Sequence, residues 1–343
     1  MRIEGARRSG TLKTEVVSGE EGIRRAVGAL RAGEVAALPT ETVYGLAADA
    51  LNEQAVLKIF QAKSRPRFDP LIVHLPDADW VERLAAIDNA ARPLFEQLRK
   101  QFWPGPLTFV FPRNTAVPDI VTSGLGTVAL RMSAHPVLAQ IIRAFGGPLA
   151  APSANRFGRI SPTTASHVVE ELDGLIPLIV DAGPTQHGLE STVVALSNGR
   201  IEILRPGPVT EEQLSEYGEV AVIGATAHPE APGQLPAHYA PRTPLVLLDD
   251  AKDFERPASK RCGLLAWGTK PTAGFAAARV LSEPQDLAEA AANLFRYLRE
   301  LDNSGVDLIV AEKLPDEGLG AAINDRLRRA AQGAAVYKPP SAS

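Results

Sequence analysis

The chain has 343 residues, of which 45% are hydrophobic and 22% charged, and its 36 Lys and Arg against 40 Asp and Glu give a net charge of −4. These proportions are typical of a globular protein and exclude both a mainly disordered chain and a general polycation that coats nucleic acid. The single cysteine, Cys262, excludes an intramolecular disulfide and a thiolate zinc cluster. Its apolar neighbours predict a buried strand residue in a protein of a reducing compartment.

The sequence also carries signals of location. No stretch approaches the ~20 apolar residues that a membrane span needs, and the first residues lack the apolar core of a secretory signal. Arg7 and Arg8 are a faint feature of a transit peptide, but Glu4 and Glu15 count against one. We therefore expect a cytoplasmic protein.

Short apolar runs alternate with longer amphipathic ones along the first two thirds of the chain, which predicts an α/β domain. Asn-Gly between the last two apolar runs is a strong hairpin signal, so we expect a mixed sheet. The predicted strands are Val35–Leu38, Leu71–Leu75, Leu107–Phe111, Val128–Arg131, Pro148–Ala151, Leu178–Asp181, Val193–Leu196 and Ile201–Leu204. The predicted helices are 21–32, 52–62 with Asn52 as N-cap, 135–145, 162–172 with Ser161 as N-cap, and one opened by the capping box Thr210-Glu-Glu-Gln213.

The pattern changes after Tyr217. Residues 224–244 contain many prolines and no hydrophobic periodicity, which predicts a linker stiffened by proline. Further strands at Leu245–Leu248, Gly263–Trp267, Arg279–Leu281 and Leu308–Ala311, with helices at 284–302 and 318–331, predict a smaller α/β, Rossmann-like domain. The expected organisation is a tail over 1–14, a first domain over 15–217, a linker over 218–244 and a second domain over 245–335.

Polar segments follow several predicted strands of the first domain. They are Pro39–Gly45, Pro152–Asn155 and Asp181–Thr185, and Arg131 ends a strand of its own. Ligands of open α/β sheets bind outside the carboxyl ends of strands, so we expect these segments to share one cavity. Each segment taken singly also has the composition of an ordinary tight loop.

Cations are concentrated in Lys63-Ser-Arg-Pro-Arg67, between a predicted helix and a strand. Favourable charge at a helix C-terminus explains Lys63 alone, whereas two arginines around Pro66 suit a phosphate clamp. Arg205 is a further cation at a strand end. Such cations among apolar strand ends need an anion. The sequence contains no P-loop, no Gly-x-Gly-x-x-Gly and no nucleophile elbow or His-Glu-x-x-His metal motif.

Together these segments resemble one family. Its motifs occur here as Pro-Thr-Glu-Thr-Val-Tyr-Gly45, Lys63-Ser-Arg-Pro with Pro-Leu-Ile-Val-His74, Trp-Pro-Gly-Pro-Leu-Thr108, Val-Ala-Leu-Arg131, Ala-Pro-Ser-Ala-Asn155, Gly-Leu-Glu-Ser-Thr192 and Leu-Arg-Pro-Gly207. The chain resembles the threonylcarbamoyl-AMP synthases of the long, two-domain type, with an N-terminal YrdC-like domain. The resemblance covers residues 15–215 and continues in the linker at Pro232-Gly…His-Tyr-Ala-Pro241.

The resemblance implies a twisted mixed-sheet catalytic domain that performs adenylyl transfer. Threonine and bicarbonate give N-carboxythreonine, whose carboxylate attacks the α-phosphorus of ATP, which arrives with Mg²⁺. The products are threonylcarbamoyl-AMP and pyrophosphate. A partner tRNA threonylcarbamoyltransferase then modifies adenosine at tRNA position 37, and contact of this chain with tRNA is a further expectation. This chemistry needs no covalent protein nucleophile, only positioning and neutralised phosphate charge.

Site residues follow from the same resemblance. Those expected to bind threonine are Thr42, His74, Arg131, Ala151 and Ser191, with Arg131 as the bidentate partner of its carboxylate. Those expected to bind ATP are Lys63, Arg65, Asp69, Thr127, Ser153, Asn155, Ser161, Arg205 and Tyr239, of which Lys63, Arg65 and Arg205 are expected to act in catalysis. Considered alone, His74 could be a core histidine, Ser161 an N-cap and Thr42 a turn hydroxyl.

The chain departs from the family at two places. The family usually has Asn where this chain has Asp69, and a carboxylate there repels phosphate unless it pairs with Arg65 or Arg67 or faces Mg²⁺. Gln234-Leu-Pro-Ala237 replaces a more basic and aromatic stretch of the linker. The pair His238-Tyr239 remains, and we expect it to close over the nucleotide as a lid while contributing little to either core.

Two other functions are compatible with parts of this pattern. One is a carbamoyl-adenylate-forming maturation enzyme, which uses a YrdC-like domain but adds zinc-finger-like segments that one cysteine cannot build. The other is a non-catalytic module for double-stranded RNA or tRNA. The net charge and the lack of an aromatic stacking platform count against it.

Overall fold

A computed structural model describes residues 12–197, 199–223, 238–269 and 273–333. In this part of the chain two β-sheets are present, one of eleven strands and one of four. The α/β class and the mixed first sheet are confirmed, and the second sheet is wholly parallel. Within the same residues, no helix is both long and apolar enough to cross a membrane.

The first sheet is built from residues 15–222. Its strands are β1 (Glu15–Ser18), β2 (Ala36–Leu38), β3 (Gly45–Asp49), β4 (Ile72–His74), β5 (Leu107–Pro112), β6 (Thr127–Arg131), β7 (Leu149–Ala150), β8 (Leu178–Asp181), β9 (Thr192–Ser197), β10 (Arg200–Arg205) and β11 (Val220–Val222). Its helices are α1 (Gly19–Arg31), α2 (Glu53–Lys63), α3 (Trp80–Leu84), α4 (Arg92–Phe102), α5 (Asp119–Thr122), α6 (Pro136–Phe145), α7 (Ala165–Leu172) and α8 (Glu211–Ser215).

The strand order β1-β8-β2-β3-β7-β4-β6-β5-β9-β10-β11 brings distant parts of the chain together. β4 and β6 are parallel, with His74 opposite Arg131, so both side chains stand at the same end of the sheet. β9 and β10 form the predicted antiparallel hairpin, with Arg200 opposite Ser197. Its turn residue Asn198 lies outside the described residues.

The second sheet contains β12 (Leu245–Leu248), β13 (Cys262–Ala266), β14 (Ala277–Val280) and β15 (Leu308–Glu312), in the order β12-β15-β13-β14. Helices α9 (Leu287–Asp302) and α10 (Leu319–Gly333) pack against it. Cys262 is buried in β13, as predicted. Of the predicted linker, residues 224–237 lie outside the described residues, and so does the departure at Gln234–Ala237.

Some local predictions were wrong. The helix expected from residue 162 begins at Ala165, because Thr164 rather than Ser161 accepts the capping hydrogen bond from the His167 amide. By contrast, Asn52 and the box at Thr210 cap their helices as predicted. Strands β1, β3 and β11 and helices α3, α4 and α5 were not predicted. β11 pairs with β10, so the first sheet extends past the boundary expected at 217.

Candidate active site

A cavity of about 60 Å³ lies at the ends of β4, β6 and β7 and is closed on one side by the linker residues His238 and Tyr239. It is lined by Thr40, Thr42, Val43, Gly45, Arg65, Asp69, Pro70, Ile72, His74, Arg131, Ala151, Pro152, Ser153, Glu190, Ser191, Arg205, His238 and Tyr239. A bound drug-sized ligand needs roughly 300–1,000 Å³. In this structure the cavity is therefore in a closed form, smaller than such a ligand requires.

One wall carries a buried cation held in place by three partners. Arg131 donates from Nη2 to Glu41 Oε1 at 2.6 Å, from Nη1 to Thr42 Oγ1 at 3.0 Å and from Nε to the Gly105 carbonyl at 3.2 Å. Since Nη1 and Nη2 each carry two hydrogens, one N–H on each remains for a ligand. The anion that the buried Arg131 guanidinium requires is thus the carboxylate of Glu41. The sequence did not indicate this pairing.

Glu41 is the counterion, and Ser133 Oγ also donates to its carboxylate. Burial by itself raises the pKa of Glu41, but the charge of Arg131 and these hydrogen bonds outweigh it and lower the pKa to about 2. Burial and the neighbouring Arg131 lower the pKa of His74 to about 3. His74 is therefore neutral at pH 7, and its Nδ1 has no hydrogen-bond partner among the described residues.

The opposite wall carries Arg65, which is clamped by its own loop. Its Nη2 lies 2.8 Å from Asp69 Oδ2 and 2.9 Å from the Pro70 carbonyl, and its Nε donates to the Asp69 carbonyl at 3.1 Å. Of the pairings open to Asp69, the one with Arg65 is observed. The other carboxylate oxygen, Oδ1, is buried and finds no partner within the described chain. An unpaired buried carboxylate oxygen is suited to a cation.

Lys63 lies behind the cavity wall rather than on it. Its ammonium donates to the carbonyls of Ser153 and Asn155. Burial, and then the charge of Arg65, lower the pKa of Lys63 well below its usual value. Lys63 therefore fixes the loop that bears Ser153, which itself lines the cavity.

Arg205 and Ser191 form a third part of the lining. Arg205 donates from Nε and Nη2 to the Ser191 carbonyl at 3.1 and 2.9 Å, and from Nη2 to Ser191 Oγ at 3.1 Å. Ser191 Oγ is also 2.8 Å from Thr108 Oγ1. No carboxylate contacts Arg205 among its hydrogen bonds in the described residues, so its guanidinium keeps donors for an anion.

Tyr239 closes the cavity. It is 1% exposed, stacks on Phe295 of the second domain with centroids 5.6 Å apart, and has a φ of +64°. Its hydroxyl has no partner in the described chain. The expectation that it contributes little to either core is wrong, because its ring belongs to the core of the second domain.

The structure thus brings most of the expected site residues to one cavity. Ten of them line it: Thr42, Arg65, Asp69, His74, Arg131, Ala151, Ser153, Ser191, Arg205 and Tyr239. Lys63, Thr127, Asn155 and Ser161 are not in its lining. The segment Asp181–Thr185, expected at the same cavity, is also absent from it, because Asp181 and Gly183 instead hold the Tyr44 hydroxyl from behind.

Ser161 and Asn155 have structural partners. Ser161 donates to Glu190, and Asn155 donates from Nδ2 to the carbonyls of Arg156 and Arg159 at 2.8 and 2.9 Å. Sequence reasoning missed three charged residues: Glu190, which lines the cavity, and Glu41 and Arg326, which bind the lining residues Arg131 and Glu190. The only feature of the sequence that pointed to Glu41 and Glu190 is their place inside two of the family motifs quoted above.

Comparisons with known proteins cover most of the chain, including both domains. The family model Sua5_yciO_yrdC, described as telomere recombination, matches residues 28–207, and the model of the threonylcarbamoyl-AMP synthase C-terminal domain matches 209–332. The threonylcarbamoyl-AMP synthase of Pyrococcus abyssi is 41% identical over 90% of this chain and 93% of its own length, and that of Bacillus subtilis is 40% identical over 94% and 96%. The crystal structure of P. abyssi Sua5 complexed with L-threonine has a TM-score of 0.84 at 38% identity, covering 93% of this chain and 98% of its own. This chain therefore belongs to the threonylcarbamoyl-AMP synthase family, in its two-domain form.

Proposed function

We propose that this chain makes threonylcarbamoyl-AMP from L-threonine, bicarbonate and ATP in the cavity described above. The carboxylate of N-carboxythreonine attacks the α-phosphorus, and pyrophosphate leaves. The observation that carries the proposal is the convergence of three buried arginines, Arg65, Arg131 and Arg205, on one small cavity. These guanidinium groups can donate to the substrate carboxylate and to the phosphates in a low-dielectric site, although Arg131 and Arg65 already have the carboxylate partners Glu41 and Asp69.

The two sides of the cavity suit different substrates. Arg131, Thr42 and neutral His74 form a polar group on one side of the cavity, and we assign threonine to it. The threonine bound in the related P. abyssi structure supports this assignment. Arg65, Ser153, Arg205 and Tyr239 surround the other side, and we assign ATP to it. Lys63 then acts through the Ser153 loop that it fixes, and not by direct contact in this closed form.

Mg²⁺ is proposed to arrive with ATP. No group of three His, Cys, Asp or Glu that could hold a metal ion is found among the described residues, so a resident metal site is not expected there. The fit to Mg²⁺ is of another kind: the unpartnered, buried Asp69 Oδ1 offers one ligand, and ATP phosphates and water supply the rest. Bound Mg²⁺ would neutralise phosphate charge.

The remaining assignments complete the proposal. The chain is divided into a catalytic domain, a lid segment that includes His238 and Tyr239, and a second α/β domain. The product goes to a tRNA threonylcarbamoyltransferase that modifies tRNA position 37, in the cytoplasm. The low net charge makes a purely RNA-binding role the weaker alternative.

Pyrophosphate release from [α-³²P]ATP tests the proposal. We expect release only when both threonine and bicarbonate are present, with one labelled adenylate formed for each pyrophosphate. Threonine dependence without bicarbonate dependence would indicate ordinary aminoacyl adenylation and refute the proposal. Release that needs carbamoyl phosphate instead would favour the maturation enzyme, and binding of RNA without any release would favour the RNA-binding module.

A further inference from the structure

The loop that carries Glu190 and Ser191 is built into the second domain. Leu189 is fully buried in the same apolar core as Leu294 and Phe295 of α9. Gly188 has a φ of +68°, and a Cβ added there would lie 2.5 Å from the carbonyl oxygen of Ala291. Helix α9 therefore lies directly on this loop, and only glycine fits at the contact.

Arg326 of α10 reaches the same loop from the other side. It is fully buried, and it donates from Nε to Glu190 Oε2 at 2.8 Å and from Nη2 to the Pro206 carbonyl at 3.0 Å. Its guanidinium carbon lies 5.1 Å from the centroid of the Tyr239 ring. Two of these partners, Glu190 and Tyr239, line the cavity, and Pro206 follows Arg205.

A carboxylate buried this deeply needs a cation. Glu190 accepts from Ser161 on one oxygen and from Arg326 on the other. The next cation acting on Glu190 is Arg205, which donates to Ser191 instead. Without Arg326, Glu190 would be left to compete with Ser191 for Arg205.

Tyr239 depends on Arg326 in a second way. A bulky side chain at a positive φ is held in a strained conformation only when its surroundings determine it. For Tyr239 the surroundings include the neighbouring His238 ring, Phe295 on one side and the Arg326 guanidinium over the ring. Phe295 and Arg326 come from the second domain.

We propose that Arg326 is a positioning residue of the active site: it neutralises Glu190, so that Arg205 stays on Ser191, and it supports Tyr239 in the closed position. The second domain is thereby a structural part of the catalytic cavity. This inference rests on the proposed adenylation, so its test includes a measurement that does not need activity.

The test compares Arg326→Met with Arg299→Met in the full-length protein. Arg299 is the matched control, since it is also a buried arginine of the second domain that contacts the first, at Glu171 and the Ile160 carbonyl, yet neither of these partners lines the cavity. We expect Arg326→Met to lower kcat/KM for ATP at least about tenfold, and Arg299→Met to change it less than about threefold. The threonine Kd should change less than kcat/KM for ATP in Arg326→Met, because Arg131 keeps its first-domain partners and only Ser191 lies on the affected loop, and it should stay at the wild-type value in Arg299→Met.

Hydrogen exchange of the amides at 188–192 provides the measurement without activity. We expect faster exchange in Arg326→Met and wild-type exchange in Arg299→Met. The double variant Arg326→Met, Glu190→Gln should regain part of the kcat/KM lost in Arg326→Met, because it has no unpaired carboxylate at position 190 to compete for Arg205. The kcat/KM for ATP and the amide exchange rates of Arg326→Lys should lie between those of the wild type and those of Arg326→Met. If Arg326→Met does not fold, Arg326→Lys replaces it in every comparison.

Several results would overturn the inference. Equal losses in Arg326→Met and Arg299→Met would show that both residues serve only to dock the domains. Unchanged kcat/KM, or unchanged exchange at 188–192, would show that Arg326 does not position the cavity. A wild-type enzyme without threonine-dependent pyrophosphate release would instead refute the proposed function, while the exchange result would still test the positioning of this loop.

Discussion

Replacing Glu41 with glutamine removes one charge from a buried pair while keeping the shape of the side chain. Both partners are almost fully buried, with side-chain exposures of 5% for Glu41 and 4% for Arg131, and their N and O atoms are 2.6 Å apart. A pKa of about 2 in place of 4.5 corresponds to about 3 kcal/mol of stability, at about 1.36 kcal/mol per pKa unit. We expect Glu41→Gln to lower the free energy of unfolding by about this amount at pH 7.

The pH dependence has a definite sign. Because the folded-state pKa of Glu41 is depressed, its contribution is fully present above the unfolded pKa of 4.5 and is lost as the pH falls toward about 2. Urea unfolding of both proteins from pH 7 downward should therefore show a difference that shrinks below pH 4.5. Glu34→Gln is the matched control: its partner Lys58 is 2.7 Å away, but both side chains are more than one third exposed, so we expect a change of about 0–1 kcal/mol.

Threonine binding provides a second measurement on the same variant. Glu41 neutralises Arg131, so its removal leaves a net positive pocket that attracts the threonine carboxylate more strongly. We expect calorimetry to show tighter threonine binding despite the lower stability. A stability loss equal to that of Glu34→Gln, a difference independent of pH, or weaker threonine binding would each refute this account of the pair.

Three further predictions concern single side chains. Arg65→Lys keeps the charge but loses the planar fork that contacts Asp69 and Pro70, so steady-state kinetics should show kcat/KM for ATP reduced by about tenfold or more; wild-type kinetics would contradict the clamp. His74 should show no NMR titration of its ring between pH 5 and 8, since its pKa is about 3, and a midpoint near 6.5 would contradict its buried, neutral state. Tyr239→Ala should lower the free energy of unfolding by about 3–5 kcal/mol, because packing on Phe295 is lost. Tyr239→Phe should leave thermal unfolding unchanged, because the hydroxyl has no partner in the described chain. A Tyr239→Ala protein as stable as the wild type would show that the ring adds nothing to the core.

The sequence predicted the cavity where a local rule sufficed. Arg131 ends a predicted strand and Pro152–Asn155 follows another, and because ligands of α/β sheets bind outside strand ends, we predicted a shared cavity, which Arg131, Pro152 and Ser153 do line. His74 was expected there only from the family resemblance. The helix cap shows how a local rule fails: Ser161 and Thr164 are both good N-caps, and Pro162 suits the first helical position after Ser161. Ser161 does not cap the helix because its hydroxyl donates to Glu190, which lies 29 positions away in the chain.

The counterions could not be predicted for the same reason. Glu41 and Arg131 are 90 positions apart, and Glu190 and Arg326 are 136 apart, so no periodicity or spacing links them. The strand β3 was missed because Gly45-Leu-Ala-Ala-Asp49 contains no β-branched residue, and its pairing with β2 and β7 determines its structure. The family resemblance identified most of the residues that line the cavity, but not the ion pairs Arg131–Glu41 and Arg326–Glu190 that hold the lining in place.

The cavity is too small for ATP as it stands, so we expect one wall to move when ATP binds. The contacts of each wall indicate which one. Thr42 and Arg131 are fixed by hydrogen bonds within the first domain, whereas Tyr239 is held by stacking and by the Arg326 guanidinium, and its hydroxyl has no partner in the described chain. The Tyr239 side chain therefore has no hydrogen bond to break among the described residues, and we expect it to move when ATP enters, while the backbone of Ala240 stays bonded to the Gly158 carbonyl. Arg326 can stay on Glu190 while Tyr239 leaves, so opening exposes no unpaired buried carboxylate. We expect closure to return Tyr239 to a preformed place and to keep water from the reactive mixed anhydride.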